Sequence, residues 1–293
     1  MKRRLTKAEK AVFELSELNK LVFALREAGL KNGLWKPTAD DPVFGNVWRI
    51  GDMGEMNLAG RTALVTGGAV RIGAAICRSL AAEGASVVIH YRHSKREALA
   101  LARELGGRAV QSDLDSESAC ERLIAHAGKL DILVNNAAVF HKDSLKTITA
   151  KKLTDEFWPN LFAPILLTRA FAQRVKKGAV INLLDRRITS LDDSCVPYVL
   201  SKKSLAEFTR IAALELAPRI TVNAVAPGAV LPPPGKGKAY LKDNAGPLPL
   251  GRLVKPEEVA AAIVFLLKSE SVTGQTVFVD GGQNLLGNLT LDT

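Results

Sequence analysis

The alternation of short apolar runs with longer amphipathic segments, which begins at Thr62, limits how this chain can fold more than any other feature does. Strands that alternate with helices form a parallel sheet whose two faces the helices cover. We therefore predict an α/β fold with a doubly wound parallel sheet of about seven strands and helices on both faces. The predicted strands are 62–66, 86–91, 108–111, 131–134, 179–184, 220–224 and 276–279, and the predicted helices are 72–83, 94–105, 151–176, 197–216 and 256–267. Ser116 is expected to cap a further helix.

Residues 1–57 lack this alternation and are predicted to form an N-terminal extension of a single domain that spans 58–293. A helix is expected at about 7–28, because apolar residues recur there every three or four positions. These residues are Ala11, Leu15, Leu18, Val22 and Leu25. The segment is rich in glutamate and has no apolar signal-peptide core, which argues against a targeting signal. A contact with its own domain or a neighbouring subunit, a short coiled coil and a lid over a pocket all remain open.

Charge and cysteine content narrow the possible functions. The net charge is +10, but the basic residues form no long block with interleaved aromatic residues, so we expect an anionic small ligand and not nucleic acid. No apolar run reaches the roughly 18 residues of a membrane span. Cys77, Cys120 and Cys195 have neither disulfide-framework nor metal-ligand spacing. We expect a cytoplasmic protein with no membrane partner and no metal site.

A glycine-rich turn, Thr66-Gly-Gly-Ala-Val-Arg-Ile-Gly73, joins the first predicted strand to the first predicted helix. Gly67 permits a tight turn, and Gly73 lets the helix approach the strand closely. A pyrophosphate can then meet free N–H groups at the helix N-terminus. Ile72 lies in the same turn, and Arg71 can face either the pyrophosphate or an anionic edge of the substrate. The turn predicts a Rossmann-like, dinucleotide-binding sheet.

The end of the second strand indicates which dinucleotide binds. An NAD enzyme usually has an acid about 20 residues beyond the glycine turn, where it holds the ribose 2′-hydroxyl. This chain instead has Tyr91, Arg92, His93 and Ser94, and arginine can pair with a phosphate through two hydrogen bonds. We predict NADP(H) as the cofactor. The alternative is a solvated basic start of the next helix.

Two later strand ends complete the predicted cofactor site. Asp113 and Leu114 follow the third strand and are suited to contact adenine. Asn136, Ala137 and Ala138 follow the fourth strand, where small residues let the backbone approach a ribose.

With Tyr198-Val-Leu-Ser-Lys202 and Pro227-Gly228 added, these elements resemble the short-chain dehydrogenase/reductase family over about residues 58–286. Ala138 departs from the family pattern, in which glycine is common. The resemblance implies that Tyr198, Lys202 and Asn160 act in catalysis. It also implies that Tyr198, Lys202, Pro227 and Gly228 contact the cofactor, and that the protein is a homo-oligomer, a tetramer or a dimer.

Within that family the chain most resembles the pteridine reductases and the bacterial dihydromonapterin reductases. They share an arginine at the position of Arg71 and an Arg/His/Ser cluster at the end of the second strand. An aromatic residue that stacks on the pterin matches Phe140, and an aspartate in place of the family's catalytic serine matches Asp185. The resemblance implies a pterin-like substrate that contacts Arg71, Phe140, Asp185 and Tyr198.

The chemistry of the last residues can also be argued directly. Tyr198 and Lys202 are four residues apart and lie on one face of a helix. A nearby ammonium and the positive nicotinamide favour the phenolate, so Tyr198 can act as an acid or base near neutral pH. An ionised Asp185 only accepts hydrogen bonds, which counts against simple carbonyl reduction and suits a substrate with N–H donors or a ring nitrogen. The alternative is that Ser190 or Ser194 is the catalytic serine.

Asn160 precedes Pro164 by four residues. Proline has no N–H with which to bond the Asn160 carbonyl, so this carbonyl is free to hold a water. In the family, this carbonyl and a water connect to the lysine; a simple helix kink is the alternative. Loop 231–249 is expected to cover the pocket. His126 and His141 are expected to be surface or packing residues.

The leading hypothesis is therefore an NADPH-dependent reductase of a pterin or dihydropterin. One alternative is the reduction of another ketone or imine. The other is a non-catalytic module that senses NADP(H).

Overall fold

The structure is a computed structural model that describes residues 58–232, 235–237 and 239–286. The helix expected at 7–28 lies outside the described residues. In the described part of the chain, seven parallel strands form one sheet in the order β3-β2-β1-β4-β5-β6-β7. The strands are β1 (Thr62–Val65), β2 (Ser86–Tyr91), β3 (Arg108–Gln111), β4 (Ile132–Asn135), β5 (Gly178–Leu183), β6 (Ile220–Pro227) and β7 (Thr276–Val279). The predicted fold class is confirmed.

Helices alternate with the strands along the chain. They are α1 (Arg71–Ala82), α2 (Lys95–Glu104), α3 (Glu117–Ala127), α4 (Ala150–Phe157), α5 (Ala163–Arg174), α6 (Val196–Leu216), α7 (Ala239–Asn244) and α8 (Pro256–Lys268). Short 3₁₀ helices cover Arg186–Thr189 and Gln283–Leu286. As expected, Ser116 caps α3, accepting a hydrogen bond from the N–H of Ala119 at 3.3 Å.

The core lies on both faces of the sheet, because neighbouring residues of a strand point to opposite sides. Leu64 faces one layer, where it packs with Phe171 of α5. Val65 faces the other layer, which contains Ile76 of α1. All of these side chains are fully buried.

The order of strands reverses between β1 and β4. Leu64 pairs with Val88 of β2 on one side and with Leu133 of β4 on the other. In open parallel sheets, ligands bind outside the carboxyl ends of the strands at such a reversal. The topology therefore places a binding crevice at the glycine turn that follows β1.

Three predictions differ from the structure by more than one or two residues. The helix expected over 151–176 is interrupted by a π-helix at Trp158–Phe162, because Pro164 cannot donate the hydrogen bond that would continue an α-helix. Strand β6 continues to Pro227, which pairs with Val279 of β7. Loop 231–249, for which no helix was predicted, contains α7.

Among the residues that the structure describes, no helix is both long and apolar enough to cross a membrane. No cluster of three or more His, Cys, Asp or Glu side chains in the same residues could hold a metal ion. Cys77, Cys120 and Cys195 are buried free thiols, and burial raises the pKa of the Cys77 thiol to about 12.

Candidate active site

The glycine turn after β1 leaves room for an anion at the start of α1. Gly67 has a φ of +60°, which residues with a side chain rarely adopt. A Cβ atom on Gly73 would collide with the carbonyl oxygen of Gly67 and lie 2.8 Å from the side-chain amide of Asn136. No side chain caps the N-terminus of α1, and its first turn contains no acid. Its free N–H groups therefore suit a pyrophosphate.

The buried side chain of His90 holds this turn in place through a hydrogen bond. The N–H of Gly67 donates to Nδ1 of His90 at 3.1 Å, so the proton of the neutral ring is on Nε2, 3.1 Å from the carbonyl oxygen of Ser112. Burial lowers the pKa of His90 to about 4. The neutral ring thus links the ends of β1, β2 and β3.

A cleft of about 780 Å³ opens in front of the turn. Its volume lies in the range of ligand pockets. Thirteen of the residues that were predicted to bind the cofactor line it: Gly67, Arg71, Ile72, Gly73, Tyr91, Arg92, His93, Ser94, Asp113, Leu114, Asn136, Ala137 and Ala138. The residues present therefore fit a dinucleotide.

The other predicted cofactor residues lie elsewhere. Tyr198, Lys202, Pro227 and Gly228 do not line this cleft. A Cβ atom on Gly228 would be 2.7 Å from the Cα of Asp280, so packing requires glycine at this position. The structure therefore gives Gly228 a reason that does not involve a ligand.

Two of the predicted cofactor residues form an ion pair. Nε of Arg92 lies 2.9 Å from Oδ1 of Asp113, and both side chains are about half exposed. The carbonyl of Arg92 accepts a hydrogen bond from Gln111 at 3.1 Å. Asp113 therefore orients the guanidinium at the edge of the cleft.

Arg71 has a left-handed backbone, with a φ of +58°. This conformation costs free energy in a residue other than glycine and is often found at functional sites. The guanidinium contacts the carbonyl oxygen of Leu231 at 3.4 Å, and burial lowers the pKa of Arg71. Arg71 thus connects the glycine turn to loop 231–249.

The predicted catalytic residues come together at the carboxyl end of β5. The hydroxyl of Tyr198 donates to Oδ2 of Asp185 at 3.1 Å. Nζ of Lys202 donates to the carbonyl oxygen of Leu183 at 2.7 Å. Of the two alternative serines, Ser194 donates its hydroxyl to Asp192 at 2.6 Å, and Ser190 ends the 3₁₀ helix. Asp185, and not a serine hydroxyl, is the hydrogen-bond partner of Tyr198.

Burial changes the proton affinities of this group. Burial first, and then the charge of Asp185, raises the pKa of Tyr198 well above its usual value. Burial lowers the pKa of Lys202 to about 8. The expectation that Lys202 favours the phenolate omitted burial and the carboxylate of Asp185. In the chain alone the phenol is the stable form, which is the form that gives up a proton in a reduction.

An arginine that the sequence analysis missed completes the group. Nη1 of Arg187 lies 3.2 Å from Oδ2 of Asp185, and Nε lies 3.0 Å from Oδ2 of Asp192. The guanidinium also lies 5.7 Å from the ring centre of Phe140, a cation–π distance. The Phe140 ring meets Tyr198 edge to face at 4.8 Å. Asp185 is therefore held as a paired carboxylate. The only sequence signal was the basic pair after Asp185.

Asn160 lies within the π-helix and is fully buried. Its side chain donates to the carbonyl of Val139 and accepts from the N–H of the same residue, both at 2.9 Å. It also donates to Glu156 at 3.1 Å. Glu156 lies 2.6 Å from Nδ1 of His141. His141 was expected to be a surface or packing residue, and its side chain is 61% exposed while its Nδ1 contacts this buried acid.

Known proteins resemble this chain in sequence to different degrees. The short-chain dehydrogenase family model described as "Enoyl-(Acyl carrier protein) reductase" matches residues 68–284. Pteridine reductase 1 of Leishmania tarentolae is 33% identical over 76% of this chain and 96% of its own. L-xylulose reductase of Bos taurus is 36% identical over 78% of this chain and 98% of its own.

One solved structure extends the likeness to three dimensions. FolM alternative dihydrofolate reductase 1 from Brucella canis, a complex with NADP, is 32% identical. It covers 81% of this chain and 99% of its own, with a TM-score of 0.76. Together with the glycine turn and the Tyr198–Lys202 pair, these matches show that the chain belongs to the short-chain dehydrogenase/reductase family of oxidoreductases.

Proposed function

We propose that this protein reduces a pterin or dihydropterin with NADPH. The observation that carries the proposal is the hydrogen bond from Tyr198 to Asp185. An ionised carboxylate repels the alkoxide that forms when a carbonyl is reduced, but it can accept a hydrogen bond from a ring N–H. A carboxylate beside the proton donor therefore suits a nitrogen heterocycle as the substrate.

The cleft residues hold the cofactor, which supplies a hydride when it is bound. The N–H groups at the start of α1 bind the pyrophosphate. Arg92, oriented by Asp113, binds the 2′-phosphate. The NADP in the Brucella structure supports this choice.

Tyr198 delivers the proton. Its buried phenol is protonated at neutral pH, and it gives the proton to a ring nitrogen of the substrate. Asp185 orients the phenol and accepts a substrate N–H, while Arg187 holds Asp185 in place. Lys202, whose pKa is lowered to about 8 by burial, can return a proton to Tyr198 near neutral pH.

Phe140 supports the same substrate class. The ring of Phe140 is 40% exposed beside Tyr198, so a flat heterocycle can stack on it. Pteridine reductase 1 of Leishmania tarentolae is a relative whose name states this activity.

Reduction of another ketone or imine is the second candidate. It is supported by L-xylulose reductase of Bos taurus, which is as similar in sequence as the pteridine reductase is. Asp185 counts against a simple ketone, because it offers no hydroxyl donor to the carbonyl oxygen.

The test is NADPH oxidation with biopterin, dihydrobiopterin and a panel of simple ketones. We expect turnover of a pterin. The control is Tyr198→Phe, which should bind NADPH but lose about 10² or more in turnover, since it cannot donate the proton. Ketone turnover without pterin turnover would overturn the proposal.

We also propose that the protein is a cytoplasmic homo-oligomer, a tetramer or a dimer. Large apolar side chains are exposed on α6 and α8, among them Leu214 at 83% and Phe265 at 60%. Association would bury them. Light scattering on the eluting peak of a size-exclusion column measures the mass, and a monomer at micromolar concentration contradicts the proposal.

A further inference from the structure

Glu156 is a buried carboxyl group that the proposed mechanism does not use. It lies near the end of α4, one turn before Asn160, and its side chain is 2% exposed. Its two oxygens contact Nδ1 of His141 at 2.6 Å and the side-chain amide of Asn160 at 3.1 Å. A carboxyl group in such a place costs free energy unless a partner compensates. The burial of Glu156 therefore points to a functional role.

The partner of Glu156 reaches solvent. The side chain of His141 is 61% exposed, and it lies in the wall of the cofactor cleft. Imidazole is the side chain best suited to take up and release protons near neutral pH. The pair therefore spans from the cleft surface to the protein interior.

The inner end of the pair lies on α4, which packs against α6, the helix of the catalytic lysine. Asp185 and Glu156 are the carboxyl groups whose charges favour the ammonium of Lys202. The charged groups around Glu156 are thus His141 from the loop after β4 and Lys202 from α6, with Asp185 beyond Lys202. Burial raises the pKa of Glu156, and His141 opposes this rise.

We propose that His141 and Glu156 carry protons from solvent to Lys202, past Asn160, and so restore Tyr198 after each reduction. This role rests on the proposed hydride-and-proton reduction, whatever the substrate. The O–H bond of Tyr198 breaks as the substrate N–H bond forms. Lys202 then protonates the phenolate, and a water at the backbone carbonyl of Asn160 passes a proton to Lys202. Glu156 replaces the proton of that water, and His141 protonates Glu156. One proton enters from water for each hydride consumed.

The first test uses Glu156→Gln and His141→Ala, with His126→Ala as the matched control, because His126 is an exposed histidine on α3. We expect kcat to fall about tenfold or more in the two test variants and to stay unchanged in the control. The solvent deuterium isotope effect on kcat should rise, because proton supply becomes slower than hydride transfer. Imidazole in the buffer should restore His141→Ala.

A purely structural role predicts another pattern. Glutamine keeps the volume of Glu156 and can still bond to His141, so Tm and the Kd for NADPH should stay at the wild-type values. A lower kcat with an unchanged solvent isotope effect and no rescue by imidazole contradicts the proton path.

A second test needs no substrate. The proposed reduction requires the nicotinamide to reach Tyr198, so the positive charge of NADP⁺ would favour proton loss there. Its binding should therefore release a proton into weakly buffered solution containing a pH dye. We expect release that is about tenfold slower in Glu156→Gln and His141→Ala. Equal rates, or no release from the wild type, contradict the path. Failure to reduce any pterin would overturn the proposed function and leave this measurement intact.

Discussion

The phenol of Tyr198 donates a hydrogen bond of 3.1 Å to Asp185, and the guanidinium of Arg187 holds the same carboxylate at 3.2 Å. A carboxyl group is thus placed beside the proton donor and held there by an arginine.

Replacing this acid tests what it does for the substrate. Asp185→Asn should lower kcat with a pterin by at least about tenfold, because the amide cannot accept the substrate N–H with a full charge. Asp185 does not line the dinucleotide cleft, so the Kd for NADPH should not change. Stopped-flow fluorescence gives Kd, and NADPH oxidation gives kcat. A variant with wild-type pterin turnover would contradict the assignment, and Asp185→Ser should shift the preference toward ketones.

Arg187→Gln should lower kcat/KM with a pterin by about tenfold, because Asp185 would lose the partner that positions it beside Tyr198. In the wild type, Nη1 of Arg187 lies within 3.3 Å of both oxygens of Asp185. Initial rates of NADPH oxidation over a range of pterin concentrations give kcat/KM. Arg210→Gln serves as the control, since Arg210 is 69% exposed and pairs only with Glu207 among the described residues. A wild-type kcat/KM in Arg187→Gln would show that Arg187 does not position Asp185.

Arg92→Asp should weaken NADPH binding by about 10- to 100-fold, the range expected for a lost charge-assisted contact. NADH has no 2′-phosphate, so its Kd should change little. The control is Arg96→Asp, which makes the same change of charge a few residues further along the chain, at a side chain that is 92% exposed. Isothermal titration with both nucleotides provides the comparison. Equal losses of affinity for NADPH and NADH would show that Arg92 does not bind the 2′-phosphate.

The buried imidazole of His90 should make stability depend on pH. Its folded pKa of about 4 lies below the unfolded value of 6.5, so the unfolded chain binds more protons between these values. The neutral ring contributes its full stabilisation above about pH 6.5, and this stabilisation is lost as the pH falls toward 4. At pH 5 the loss is about 2 kcal/mol. Urea titrations at pH 7 and pH 5 measure it.

His90→Gln is the comparison for that measurement, because glutamine can accept from Gly67 and donate to Ser112 without titrating. It should lose less unfolding free energy between pH 7 and pH 5 than the wild type does. Equal losses in the two proteins would mean that His90 is not the titrating group.

The sheet and much of the site could be predicted because they depend on local signals. The glycine turn, the basic cluster at the end of β2 and the Asn-Asn-Ala-Ala segment after β4 each follow a strand, and parallel strands bring their carboxyl ends together. The thirteen predicted cofactor residues that line the cleft belong to these segments and to the end of β3.

The parts that were missed depend on backbone turns, strand pairing and burial that a local sequence pattern does not encode. Arg187 meets Asp185 only because the chain turns into a 3₁₀ helix after β5. His90 meets Gly67 through the pairing of β1 with β2. Burial of Tyr198 could not be read from the Tyr-x-x-x-Lys spacing, so the direction of its pKa shift in the chain alone was unexpected.

The π-helix at Trp158–Phe162 has a consequence for how the chain on either side of it can be altered. Each residue turns an α-helix by about 100°, and a turn closed by an i→i+5 bond contains one residue more. The apolar faces of α4 and α5 are therefore offset by one residue, and the segment cannot be treated as one amphipathic period. Deleting a single residue there would bring the two helices into phase. It would also rotate α5 by about 100° relative to α4, so the extra residue is what lets Leu167 and Phe171 of α5 face the core while Glu156 of α4 stays buried.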